Sequence, residues 1–241
     1  MRRQNSNYCP HCKLHQTLCI CELISALRPR LAHIKIRTII LMHFREERLE
    51  SNTARLAAMT LPNCEIRVRG QLENPMSTEG FSANSDEQPS FLLFPSEDAA
   101  EITPEFTEQI KKLGTPPTLI IPDGSWRQAS KMCLRIPELR NIRHLKLPAG
   151  AKAQYHLRHS HHSERVSTFE AIARTVGLLE DPSAQREMEI FFEKRVERGL
   201  WARGKIRQEN CRHPIPPAFF DFFRKAGMAG STKKSKSEPP Q

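Results

Sequence analysis

No stretch of this sequence approaches the roughly 18 consecutive apolar residues that a membrane-spanning helix needs. The opening residues, Met1-Arg-Arg-Gln-Asn, lead into no apolar core of the secretory type. A cytoplasmic protein without a membrane partner is therefore expected. Thiols stay reduced there, so the seven cysteines read as metal ligands or isolated core thiols before they read as disulfides. There is no internal repeat. Lys and Arg are missing from residues 71 to 110, which hold nine acids. Acids are scarce from 127 to 165, where nine Lys or Arg and five His stand against two Glu.

The chain of 241 residues suits one large domain or one domain with a small appendage. Its formal charge of +10 says little about fold but suits a polyanionic partner. The basic stretch is where a nucleic acid would be gripped, and its alternative is a solvated basic face. The histidines at 156, 159, 161 and 162 lack metal-ligand spacing and fit a basic loop near RNA.

Buried or alternating strand patterns occur at 34–42, 64–69, 90–94, 118–121 and 142–147. Helical patterns occur at 53–61, 104–113, after Ser125 to about Leu134, from about Thr168 and from about Ala184. Strands alternating with helices imply an α/β fold with a mainly parallel sheet and flanking helices. The expected organisation is a zinc module over 1–24, a catalytic domain over 25–228 and a disordered basic tail over 229–241.

Cys9-Pro-His-Cys12 and Cys19-Ile-Cys21 place four thiolates within thirteen residues. That set can surround one structural Zn²⁺ tetrahedrally, and the metal would supply the folding energy that so short a segment lacks. A redox pair is the alternative, and His11 is a bystander. Cys64, Cys133 and Cys211 are dispersed and read as inert.

Asp123-Gly-Ser-Trp126 follows an apolar strand and precedes a helix. In open α/β sheets ligands bind beyond the carboxyl ends of strands. Asp123 there can take a proton or bind an amine. Gly124 allows close backbone approach, and Trp126 can stack on a base. The same residues also make an ordinary Asp-Gly turn with Ser125 as helix cap and a core Trp. Arg127 and Lys131, one helical turn apart, can reach phosphate or simply be solvated. Ser167-Thr168-Phe169-Glu170 has the form of a capping box. A helix start so capped still offers N–H groups to an anion such as an amino-acid carboxylate.

Taken in order, Cys9-x2-Cys12-x6-Cys19-x-Cys21, Ser51-Asn-Thr-x-Arg55-Leu, Asp123-Gly-Ser-Trp126-Arg-Gln-Ala, Leu157-Arg158 and Ser167-Thr-x-Glu170-Ala resemble the DTW-domain family. The family motif has Thr where this chain has Ser125, which keeps the hydroxyl and the capping ability. The resemblance implies a SPOUT-like core, which can be knotted. It also implies a tRNA-uridine aminocarboxypropyltransferase that uses S-adenosylmethionine. The residue at the reacting centre would be Asp123, as base or amine ligand, with Trp126. The donor pocket would be lined by Phe94, Pro95, Ser96, Ile121, Gly124 and Ser125. Ser167, Thr168 and Glu170 would stand near its amino-acid end. Arg55, Arg127, Lys131, Arg158 and Arg165 would meet RNA. A monomer is expected. The alternatives are a SPOUT-type RNA methyltransferase, a non-enzymatic zinc protein that binds RNA, and the same transfer on ribosomal RNA.

Overall fold

The computed structural model describes residues 7–49, 52–71, 73, 75–81, 89–149, 166–218 and 220–221. The basic loop at 151–165, with Arg158 and Arg165, and the tail at 229–241 lie outside them. The chain divides into two compact units, Met1–Cys19 with Glu197–Gln241, and Ile20–Val196. No helix among the described residues is long and apolar enough to cross a membrane.

Among the described residues, six parallel strands form one sheet: β1 (Arg37–His43), β2 (Cys64–Arg69), β3 (Ser90–Leu93), β4 (Ala100–Glu101), β5 (Thr118–Asp123) and β6 (Arg143–Lys146). Their order is β2-β1-β5-β3-β6-β4, with every pairing parallel. The α/β expectation is met. β5 is buried at all six positions, as a central strand covered on both faces must be. β2 lies at the edge and is half-exposed, and Glu65 there accepts from Arg37 at 2.9 Å and Arg67 at 2.8 Å.

The helices are α1 (Cys21–Leu27), α2 (Ala54–Thr60), α3 (Pro104–Lys112), α4 (Trp126–Arg135), α5 (Thr168–Leu179) and α6 (Pro182–Ala202). Against one sheet face, Met132, Cys133 and Ile136 pack on Ile39, Leu41, Leu92 and Ile120. In α5 the apolar stripe of Phe169, Ile172 and Val176 is fully buried. The Phe169 ring stacks on Phe192 of α6 with centroids 5.0 Å apart.

β1 begins three residues later than the apolar pattern suggests. Ile34 and Ile36 are buried, yet their amides are used elsewhere. Ile34 donates to the Leu31 carbonyl, while Lys35 and Ile36 donate to the Glu180 carboxylate at 2.6 and 3.1 Å. Hydrophobicity had marked burial there, not ladder pairing. Helix α1 and the two-residue β4 have too short a pattern to be read from sequence.

Gly177 in α5 is a packing requirement. A Cβ built there would stand 2.6 Å from Gln185 Cβ and 1.9 Å from Gln185 Oε1. Helix propensity alone favours Gly177→Ala by about 1 kcal/mol. The clash should reverse the sign and destabilise the fold by about 1–3 kcal/mol. A thermal melt that rises on this substitution would refute the close approach.

Candidate functional site

Because every strand runs the same way, the carboxyl ends of β1, β5, β3 and β6 share one edge of the sheet. Strand order reverses around β5, which lies between β1 and β3. That is the position where open α/β sheets form their binding crevice. A cleft of about 690 Å³ opens there. Its walls are mainly apolar, with Phe94, Pro95, Ile121, Trp126 and Leu145 among them, and its polar side comes from Ser167 and Thr168.

Asp123 ends β5 and is only 5% exposed. Asn52 Nδ2 donates to Oδ2 at 2.7 Å, and Thr168 Oγ1 donates to Oδ1 at 2.6 Å. The Asn52 side-chain oxygen accepts from the Arg55 amide at 3.3 Å, which fixes which way its amide faces. Asn52 therefore joins the start of α2 to the strand end. The sequence reading had included Asn52 among matching residues without giving it a role.

Ser125 caps α4 in a reciprocal box with Gln128. The Gln128 amide donates to Ser125 Oγ at 3.4 Å, and the Ser125 amide donates to Gln128 Oε1 at 2.7 Å. Serine in place of threonine thus leaves the cap intact. Gly124 serves close approach without left-handed backbone. A Cβ there would lie 3.0 Å from Gln128 Cβ and 3.5 Å from His43 Cβ. The same Gln128 approaches His43 Nδ1 at 3.2 Å. Trp126, 39% exposed, sets its ring 5.6 Å from that of Phe94. It is a wall of the cleft and not a core residue.

The capping box of α5 is present. Ser167 donates its amide to Glu170 at 2.9 Å, and Glu170 donates its own to Ser167 Oγ at 3.3 Å. Of the sequence-predicted donor residues, Phe94, Pro95, Ile121, Gly124, Trp126, Ser167 and Thr168 line the cleft. Ser96 instead bonds His144 Nδ1 at 2.6 Å. Glu170 is buried and engaged in the cap. Arg127 is exposed and Lys131 half-exposed on α4, while the Arg55 guanidinium donates to the Glu47 carbonyl. Lys146 and Arg174, which the sequence reading passed over, also line the cleft.

The four sulfurs of Cys9, Cys12, Cys19 and Cys21 lie within 4.8 Å of one another. Cys12 and Cys19 are 3.7 Å apart. A tetrahedron with metal–sulfur bonds of about 2.3 Å has edges of about 3.8 Å. The donor set therefore fits Zn²⁺, with no further protein ligand required. The turn itself is preset: Cys9 donates to the Leu14 carbonyl at 2.7 Å, and Lys13 takes a left-handed φ of 59°. His11 is exposed and outside the sulfur group. Of the dispersed cysteines, burial pushes Cys64 up to about 12 and Cys133 up to about 11, so both stay protonated and unreactive.

Burial holds His43 and His144 below the ordinary imidazole value of 6.5, with Arg45 adding to the effect on His43. A histidine more acidic in the folded state takes its proton first when unfolded. Its stabilising contribution is present above pH 6.5 and lost as pH falls. Melting temperature should drop on acidification below that value, and His144→Gln should flatten part of the drop. An unchanged slope would remove His144 from this account. Cys12→Ser should release the metal, measured by elemental analysis, and lower the melting temperature. A metal-free variant of wild-type stability would refute a structural zinc.

Comparison with known proteins adds to this geometry. The model of the DTW domain matches residues 6–200. tRNA-uridine aminocarboxypropyltransferase 2 of Drosophila melanogaster is 26% identical over 187 residues, 75% of this chain and 70% of that protein. The Macaca fascicularis protein of the same name is 27% identical over 174 residues, 71% of this chain and 56% of its own length. The Mus musculus one is 25% identical over 181 residues, covering 74% and 58%. The matched region thus spans between 56% and 70% of these relatives.

Proposed function

The chain belongs to the DTW-domain family, and from that premise we propose that it is a tRNA-modifying aminocarboxypropyltransferase. Its donor is S-adenosylmethionine, its acceptor is N3 of a uridine in the tRNA variable loop, and 5′-methylthioadenosine is released. The observation that carries the reading is the buried Asp123 carboxylate, which is not itself in the cleft lining but sits behind it, between Pro122 and Gly124 and bonded to Thr168, all three of which line the cleft. A cleft of this size and apolar lining suits an adenosine.

Transfer forms a bond from uridine N3 to the γ-carbon of the methionyl chain and breaks that carbon's bond to sulfur. The electron pair of the broken bond stays on sulfur, which leaves as a neutral thioether. The N3 proton must go to a base, and Asp123 is that base. Its Oδ2 accepts a hydrogen bond from Asn52 and its Oδ1 accepts one from Thr168. The Asn52 and Thr168 donors aim the carboxylate, and the apolar walls exclude water from the reacting atoms. Phe94 and Trp126 would flank the flat base or adenine rings. The first turn of α5, at Ser167 and Thr168, would face the amino-acid end of the donor. Arg127 and Lys131, with Arg158 and Arg165 beyond the described residues, would meet phosphates. Zn²⁺ held by the four cysteines would be structural, since four thiolates close its coordination.

Incubation with unmodified tRNA and S-adenosylmethionine should yield a uridine heavier by the aminocarboxypropyl group, and free 5′-methylthioadenosine, by mass spectrometry. A methyl gain with S-adenosylhomocysteine would replace this chemistry with methyl transfer. Asp123→Asn keeps the shape and should slow turnover by about 10²–10⁴-fold. Activity within a few-fold of wild type would remove Asp123 as base.

A further inference from the structure

Two cations line the mainly apolar cleft, Lys146 at the end of β6 and Arg174 in α5. Among the described residues, neither side chain has a hydrogen-bond or ion-pair partner. Both are half-exposed, so solvent satisfies them in part, and an anion in the cleft would meet two charges that no side chain neutralises. Arg174 stands on the same face of α5 as Thr168 and Ala171, in steps of three residues. Its Cα is about 9 Å further along the helix than that of Thr168. Side chains on a helix lean toward its N-terminus, so the guanidinium is carried back along the cleft toward the first turn of α5, where Thr168 bonds Asp123.

The reading proposed above places a donor with one carboxylate, one ammonium and a sulfonium in this cleft. We propose that Arg174, with Lys146 as a second cation, binds the α-carboxylate of the donor's methionyl chain. The inference rests on that reading. A guanidinium fork matches a carboxylate in a two-point pairing, which positions the chain as well as attracting it. Fixing the far end of the chain in this way fixes where its γ-carbon lies relative to Asp123.

The test compares two ligands by calorimetry on the full-length protein. S-adenosylmethionine carries the carboxylate. 5′-Methylthioadenosine has the same adenosine and sulfur without it. Arg174→Gln should weaken S-adenosylmethionine binding about ten- to hundred-fold and leave 5′-methylthioadenosine binding within about two-fold, the scale of a lost charged hydrogen bond. Arg174→Lys should recover part of the loss, because it restores charge without the fork. The sign is diagnostic. S-adenosylmethionine is a net cation, so removing a distant positive charge would tighten it. Unchanged 5′-methylthioadenosine binding also reports that the variant is folded. Equal weakening of both ligands would mean that Arg174 only supports the cleft wall, and would overturn the proposal. Unchanged S-adenosylmethionine binding with weakened tRNA binding would assign the cation to a phosphate, and would overturn it too. If the wild-type protein binds neither ligand, the transfer reading falls and this one falls with it.

Discussion

One buried carboxylate holds the site edge together. Asp123 closes the central strand and receives short hydrogen bonds from residues 71 and 45 positions away, Asn52 before α2 and Thr168 at the start of α5. A carboxylate this deep would cost several kcal/mol if left without partners. The partners are therefore under strong constraint. Asn52 must present its amide nitrogen because its oxygen caps the Arg55 amide. Thr168 must stand in the first turn of α5 because Ser167 and Glu170 cap that turn from both sides. The positions of two helices and one loop follow from where this one side chain sits.

The unit formed by Met1–Cys19 and Glu197–Gln241 is held by different means. Its described residues include few large buried apolar groups, so polar clamps have more to supply. Arg198 donates to the Cys19 carbonyl at 2.7 Å and to the Leu18 carbonyl at 3.4 Å. Glu197 is buried and accepts from the amides of Arg212 and His213 at 2.7 and 2.9 Å. These bonds orient a short cysteine-bearing segment but replace little hydrophobic burial. A metal bound by four thiolates contributes folding energy in such a segment.

Much of this was legible in the sequence, because the signals were local. Ser125 and Ser167 cap where their spacing said they would. The strand at residues 64–69 has the bounds its alternation gave. The cysteine spacing brought four sulfurs together. What escaped depended on contacts across the sheet. Asn52 meets Asp123 only because β1 and β5 are neighbours, Met42 opposite Asp123 in the register. His43 reaches Gln128 for the same reason. Nothing in the sequence around Lys146 and Arg174 says that β6 and α5 face one cleft. The late start of β1 escaped because hydrophobic pattern records burial and cannot tell which amides a distant Glu180 will take.

The proposed reaction also explains why the site needs charge at its end more than chemistry at its centre. Three carbons surround the donor sulfur, and all are activated by the same positive charge. Activation cannot select among them, so selection must come from which carbon lies about 3–3.5 Å from the nucleophile along the line of the breaking bond. An apolar wall can hold the adenosine but cannot fix rotation of a flexible chain beyond the sulfur. Fixing it takes directional contacts at the chain's far end. The capped turn at Ser167 and Thr168 and the cations Lys146 and Arg174 line the cleft from α5 and β6. The buried carboxylate then has two tasks that one geometry satisfies. In the proposed reaction it would receive a proton from the acceptor, and its hydrogen bond from Thr168 ties it to the helix proposed to hold the donor. Base and donor are thereby referenced to the same atoms, which is the condition for a single carbon to be chosen.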